Sequence, residues 1–132
     1  MNISNMTKQR EQPKELKQIA DREVQSLINR LPPQLQSKIA AVAVVLEFRP
    51  DKDRIADGIE SDTLGLFVGP SLRDGDGGAP LPPQIFLFLE NIRDEAHDSG
   101  RSYREELRRT FLHELGHYLG LEEDDLALRD VD

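Results

Sequence analysis

The chain has 132 residues, 37% of them hydrophobic and 32% charged, with a formal net charge of −8. That is enough chain for one domain with one core of ordinary size. The acidity argues against a phosphate-facing nucleic-acid surface and against anionic membranes, both of which need clustered Lys and Arg. Cysteine is absent, which excludes disulfides and thiolate ligands, so any metal ion must be held by nitrogen and oxygen.

No stretch approaches the roughly 18 apolar residues of a membrane-spanning helix. The polar residues 1–12 lack the apolar core of a signal peptide and read as a disordered tail. Residues 13–132 are then expected to form a single domain, and the location expected is the cytoplasm. From Pro13 a helix begins, since proline is tolerated in a first turn. Leu16, Ile19, Ala20, Val24, Leu27, Ile28 and Leu31 form its apolar face, and Pro32-Pro33 ends it. Residues 35–40 add a short helical turn.

Residues 41–48 are a valine-rich apolar run, which by length and β-branching is an internal strand. Arg49-Pro50 closes it, and residues 51–62 form a charged connection with little pattern. Residues 64–68 are a second strand, weakened by Gly65. Residues 69–83 cluster glycine and proline and read as a loop. Asp74-Gly75-Asp76-Gly77-Gly78 inside it lacks the remaining acidic positions of a calcium loop. Residues 84–89 are the third and most hydrophobic strand, and residues 91–100 connect it to the next helix, with room for a short helical turn. Too few strands and helices alternate for a doubly wound sheet. The class expected is α+β, with a small three- or four-stranded sheet and helices packed on one side.

The last helix is expected over residues 102–119. Ser102-Tyr103-Arg104-Glu105 has the form of a capping box. Tyr103, Leu107, Phe111, Leu115 and Leu119 recur at helical period with Leu112 beside them. Glu105 and Arg109 form an i,i+4 pair in the favoured order, and Gly120 stands where a left-handed cap would turn the chain. On this helix lies His113-Glu114-Leu115-Gly116-His117. Histidines four apart share one helix face, so two imidazoles can grip one metal ion. Glu114 beside them can act as general base toward a water on that ion, the logic of H-E-x-x-H zinc sites. A plain helix with surface or core histidines is the bland alternative. The following glycine, in the spacing H-E-x-x-H-x-x-G, strengthens the metal reading, and so does Glu123, at the place where related motifs carry a third ligand.

The sequence stops at Asp132, and Met1 and Met6 are its only methionines. A third ligand on a distant downstream helix, or a methionine turn below the metal, is therefore not expected. The third ligand falls to Glu123, with Asp124 as the alternative and His97 as an upstream option. His97 otherwise reads as a solvent-exposed histidine among acidic neighbours. Residues 123–131 are expected to add a short helix. Bound Zn2+ in such a site lowers the pKa of its water to about 7. Tyr118 or Tyr103 could support an oxyanion, although packing accounts equally well for Tyr118 and better for Tyr103. An extended peptide could pair with a sheet edge. Residues 84–89 are a candidate for that edge, though an internal position suits their hydrophobicity better.

The run from His113 through Leu126 resembles the motif of the small bacterial zincin-like metallopeptidases, the minimal zincins. Leu81-Pro82-Pro83-Gln84-Ile85-Phe86-Leu87-Phe88, the Arg109-Thr110 pair, and Leu31-Pro32-Pro33 before a valine-rich strand are also similar to that family. The resemblance covers about residues 15–130. It implies a compact α+β fold with the motif helix behind a short sheet, zinc at His113 and His117, and Glu114 as catalytic base. Where the family's motif carries an aspartate, this chain carries Glu123, one methylene longer. The function expected is a zinc-dependent metallopeptidase, a hydrolase acting as a monomer on peptide or protein substrates. A non-catalytic, metal-containing module that binds peptides or proteins is the alternative.

Overall fold

The computed structural model describes residues 13–70 and 82–120. The expectations for residues 1–12, for residues 71–81 of the glycine-rich loop, and for everything beyond Gly120 lie outside the described residues. The element order is α1 (Pro13–Arg30), α2 (Pro33–Ile39), β1 (Ala43–Glu47), α3 (Lys52–Ala56), β2 (Gly65–Val68), β3 (Gln84–Phe88), α4 (Leu89–Ser99) and α5 (Tyr103–Leu119). This is an α+β fold with a mixed three-stranded sheet in the order β1-β3-β2.

β3, the most hydrophobic strand, takes the centre, with β1 parallel on one side and β2 antiparallel on the other. The edge role considered for residues 84–89 is therefore ruled out. Both of β3's hydrogen-bonding sides are occupied, and its residues 85–88 are buried. Strand alternation splits its side chains between two faces. Ile85 and Leu87 join the main core. Phe86 and Phe88 point to the other face, stacked with ring centroids 6.4 Å apart. There α3 lies over them, with the Arg54 guanidinium 4.0 Å from the Phe86 centroid. Desolvated cation–π contacts of this kind contribute about 0.5–2 kcal/mol.

The main core joins Leu16, Ala20, Val24 and Leu27 of α1 to Leu89 and Ile92 of α4 and to Tyr103, Leu107, Phe111 and Leu115 of α5. Each buried Leu, Ile, Val or Phe among them contributes roughly 1.5–3 kcal/mol. Two tyrosine hydroxyls fasten α5 at either end. Tyr103 donates to the Leu16 carbonyl at 2.9 Å and Tyr118 to the Lys38 carbonyl at 3.1 Å.

α5 begins and ends on its signals. The Ser102 hydroxyl accepts from the Glu105 N–H, and the Glu105 carboxylate accepts from the Ser102 N–H, each at 3.1 Å. Gly120 caps the C-terminus at φ 73°, a conformation glycine adopts without steric cost. The expected Glu105–Arg109 pair is not among the described ion pairs. Glu105 turns back to the cap instead, and those hydrogen bonds hold its carboxyl below the usual carboxylate range.

α4 is longer than the short helical turn expected in this connection. It is a helix of 11 residues that starts directly from β3. Asn91 in its first turn is buried and donates through Nδ2 to the carbonyls of Ser61 (2.8 Å) and Thr63 (2.9 Å). Its Oδ1 accepts from Arg49 Nη1 at 2.6 Å. One side chain thus ties the ends of β1 and β3 to the segment that enters β2. Among the described residues, no helix is long and apolar enough to cross a membrane.

Candidate metal centre

Helical spacing alone brings His113 and His117 together, and α5 is held rigid by both caps and the core beneath it. Their Nε2 atoms stand 3.1 Å apart with the rings perpendicular. Two nitrogens at zinc's bond length of about 2.0–2.1 Å and a tetrahedral angle lie roughly 3.3 Å apart. The donor set and its spacing therefore fit a small tetrahedral ion. His117 is exposed and His113 half-buried, so the pair opens to solvent.

Glu114 lies on the neighbouring, buried strip of the helix. One carboxylate oxygen and one nitrogen from each histidine all lie within 4.8 Å of one another. Burial pushes the Glu114 carboxyl above its ordinary value. The charges of His113 and His117 and the Phe67 backbone N–H pull it partly back. A carboxyl whose basicity is raised by desolvation is what a general base requires.

β2 is the strand beside this site. Phe88 donates to the Leu64 carbonyl at 2.9 Å, and Gly65 stands opposite Leu87. Antiparallel alternation then directs the backbone groups of Leu64, Leu66 and Val68 to β3, and those of Gly65 and Phe67 to the outer edge of β2, which among the described residues pairs with no further strand. The edge can come this close because Gly65 has no side chain. A Cβ there would stand 2.8 Å from Thr110 Cγ2 and 3.0 Å from Glu114 Cγ. The sequence reading treated Gly65 only as a weak point of the strand. The signal it missed was a small residue in the strand that faces the motif helix.

The structure brings His113, Glu114 and His117 together and leaves other candidates apart. His97 is exposed in the last turn of α4 and is not among the converging ligand atoms. The Tyr118 ring is buried against Phe67, and its hydroxyl is engaged by Lys38. Tyr103 is engaged by Leu16. Both tyrosines pack in this structure, and the oxyanion role considered for them gains no support from it. Glu123 and Asp124 lie outside the described residues.

A search of curated proteins returns no match. The family model for zincin-like metallopeptidases matches residues 39–131, which spans β1 through α5 and well over half of the chain. With the histidine pair, the adjacent buried glutamate and the sheet edge in the arrangement described above, the chain belongs to the zincin-like metallopeptidase family.

Proposed function

We propose that this protein is a zinc-dependent peptidase of the small bacterial type, acting in the cytoplasm as a monomer on peptides or exposed protein segments. The observation that carries the reading is the convergence of His113, Glu114 and His117 beside the outer edge of β2. His113 and His117 would hold the ion, and a carboxylate from Glu123 or Asp124 would complete the set. The ion, once bound, supplies a Lewis acid for the scissile carbonyl and lowers the pKa of water at the site. Glu114 accepts the proton of the attacking water on its carboxylate and passes it to the departing amine. The outward-facing N–H and C=O groups of Gly65 and the carbonyl of Phe67 are suited to receive an extended peptide as an added strand, while the Phe67 N–H faces the Glu114 carboxylate. Main-chain pairing of that kind selects for an unfolded segment rather than a particular sequence. The acidic surface favours neither nucleic acid nor membrane as a partner.

The test is digestion of a broad peptide library by the zinc-loaded chain, with Glu114→Gln and His117→Ala beside it. Cleavage abolished by Glu114→Gln, and zinc at about one per chain lost in His117→Ala, are the expected results. Equal cleavage by wild type and Glu114→Gln would refute the catalytic assignment. Zinc bound without any cleavage would favour a module that only binds peptides.

A further inference from the structure

Three polar residues lie on one buried strip of α5 at successive helical turns: Glu106, Thr110 and Glu114. Glu106 is engaged by Arg101 at 3.1 Å. Glu114 belongs to the site. Thr110 has no assigned task, and its Oγ1 is buried with no hydrogen-bond partner among the described residues. A mid-helix threonine ordinarily returns its hydroxyl to the carbonyl four residues back. Here the hydroxyl forgoes that bond. A buried hydroxyl left unpaired costs about 1–3 kcal/mol, and an orphan of this kind in a native fold calls for an explanation.

We propose that Thr110 is a positioning residue for Glu114: in the zinc-loaded protein its hydroxyl donates to the Glu114 carboxylate and holds it in the role of base. This inference rests on the peptidase reading. Residues four apart on a helix are neighbours, so the hydroxyl and the carboxylate are within mutual reach. The Thr110 methyl is seated where the backbone of β2 passes at Gly65, which fixes the threonine rotamer and leaves the longer Glu114 side chain to come to it. Of the two carboxylates one turn away, Glu106 already has Arg101. An ionised carboxylate accepts at about four sites, so Glu114 has capacity for the hydroxyl beside the Phe67 N–H that it already faces. There is also a need for it. The Glu114 oxygen lies within 4.8 Å of both histidine nitrogens, close enough to compete for the ion itself. A donor one turn back along α5 keeps the carboxylate out of the ligand shell and available to the attacking water.

The test combines a crystal structure of the zinc-loaded full chain with kinetics of Thr110→Val and Thr110→Ser. The structure is expected to place Thr110 Oγ1 within about 3.2 Å of a Glu114 carboxylate oxygen. Thr110→Val, which keeps the shape and removes the hydroxyl, is expected to lower kcat roughly tenfold or more. KM and zinc affinity stay within about twofold of wild type, because the residue binds neither substrate nor metal. Thr110→Ser retains most of the lost kcat. In the Glu114→Gln background, Thr110→Val has no further effect. A hydroxyl beyond hydrogen-bond reach of both Glu114 oxygens, or an undiminished kcat in Thr110→Val, overturns the proposal. If Glu114→Gln cleaves like wild type, the peptidase reading fails instead, and the zinc-loaded structure still decides whether the contact exists.

Discussion

Gly65 of β2 and Glu114 of α5 meet with no side chain between them, since a Cβ on Gly65 would stand 3.0 Å from Glu114 Cγ and 2.8 Å from Thr110 Cγ2. The φ angle at Gly65 is not in the left-handed region, so the glycine serves close approach rather than an unusual turn. Gly65→Ala therefore fits the backbone and collides with the helix. Overpacking of this kind costs about 1–3 kcal/mol. The added methyl separates the sheet edge from the base, so kcat/KM is expected to fall further than stability alone would require. Denaturant midpoints beside peptide-cleavage rates at a temperature where both proteins are folded check this. An alanine variant with wild-type turnover would mean that the close approach is incidental.

Asn91 fixes the segment that leads into the same strand. Its amide spans Ser61, Thr63 and Arg49, and β2 begins two residues after Thr63. Asn91→Leu leaves two carbonyls and a guanidinium N–H without their partner in a buried place. A cost of about 2–4 kcal/mol is expected from the unpaired groups. Asn91→Asp keeps the acceptor for Arg49 and turns a carboxylate oxygen toward the two carbonyls, so it is expected to be destabilising as well. Hydrogen exchange of the Gly65 to Val68 amides should quicken in both variants. If only the global midpoint moves, Asn91 stabilises the fold without controlling the edge.

These two residues mark the border of what the sequence disclosed. The histidine pair, the capping box at Ser102 and the turn at Gly120 are local patterns, set by residues within one or two helical turns of each other, and they were legible. The three strands were legible as apolar runs. Hydrophobicity points to an internal place for both β1 and β3, and only β3 has one; β1 lies at an edge, because strand order depends on pairings between residues far apart in sequence, such as Val45 with Phe86. α3 was missed because its five charged and apolar residues show no period long enough to read. α4 shows in the sequence as no more than a short turn, because Leu89, Ile92 and Ala96 make a thin stripe in a polar segment. The meaning of Gly65 and Asn91 appears only once β2 lies beside α5.

Zinc binding should appear as stability. A ligand that binds only the folded chain stabilises it by RT ln(1 + [L]/Kd), about 2.7 kcal/mol at a hundredfold excess over Kd. The melting temperature of wild type is expected to climb with added Zn2+ and to fall back with a chelator. His117→Ala removes one of two imidazoles and should show little of this response. Equal zinc shifts in wild type and His117→Ala would place the ion somewhere other than on α5.

Glu114 gives the metal-free protein a pH dependence of definite sign. Burial raises its carboxyl above the ordinary 4.5, and the nearby histidine charges and the Phe67 N–H offset only part of that. The folded chain therefore binds this proton more tightly than the unfolded chain does. The stability that follows is complete below about 4.5, the unfolded value, and is lost as pH rises through the higher folded value. At neutral pH the metal-free fold carries a charge it would rather not bury. Glu114→Gln keeps the shape without the charge, so in chelator at pH near 7 it should melt at a higher temperature than wild type. The difference should shrink as pH is lowered toward 4.5. The capping carboxyl of Glu105 acts in the opposite direction, since its lowered pKa adds stability that disappears on acidification. It is common to both proteins and cancels in the comparison. A Glu114→Gln variant that melts below wild type at neutral pH without metal would show that the buried charge is favourably paired, and that desolvation is not what tunes this base.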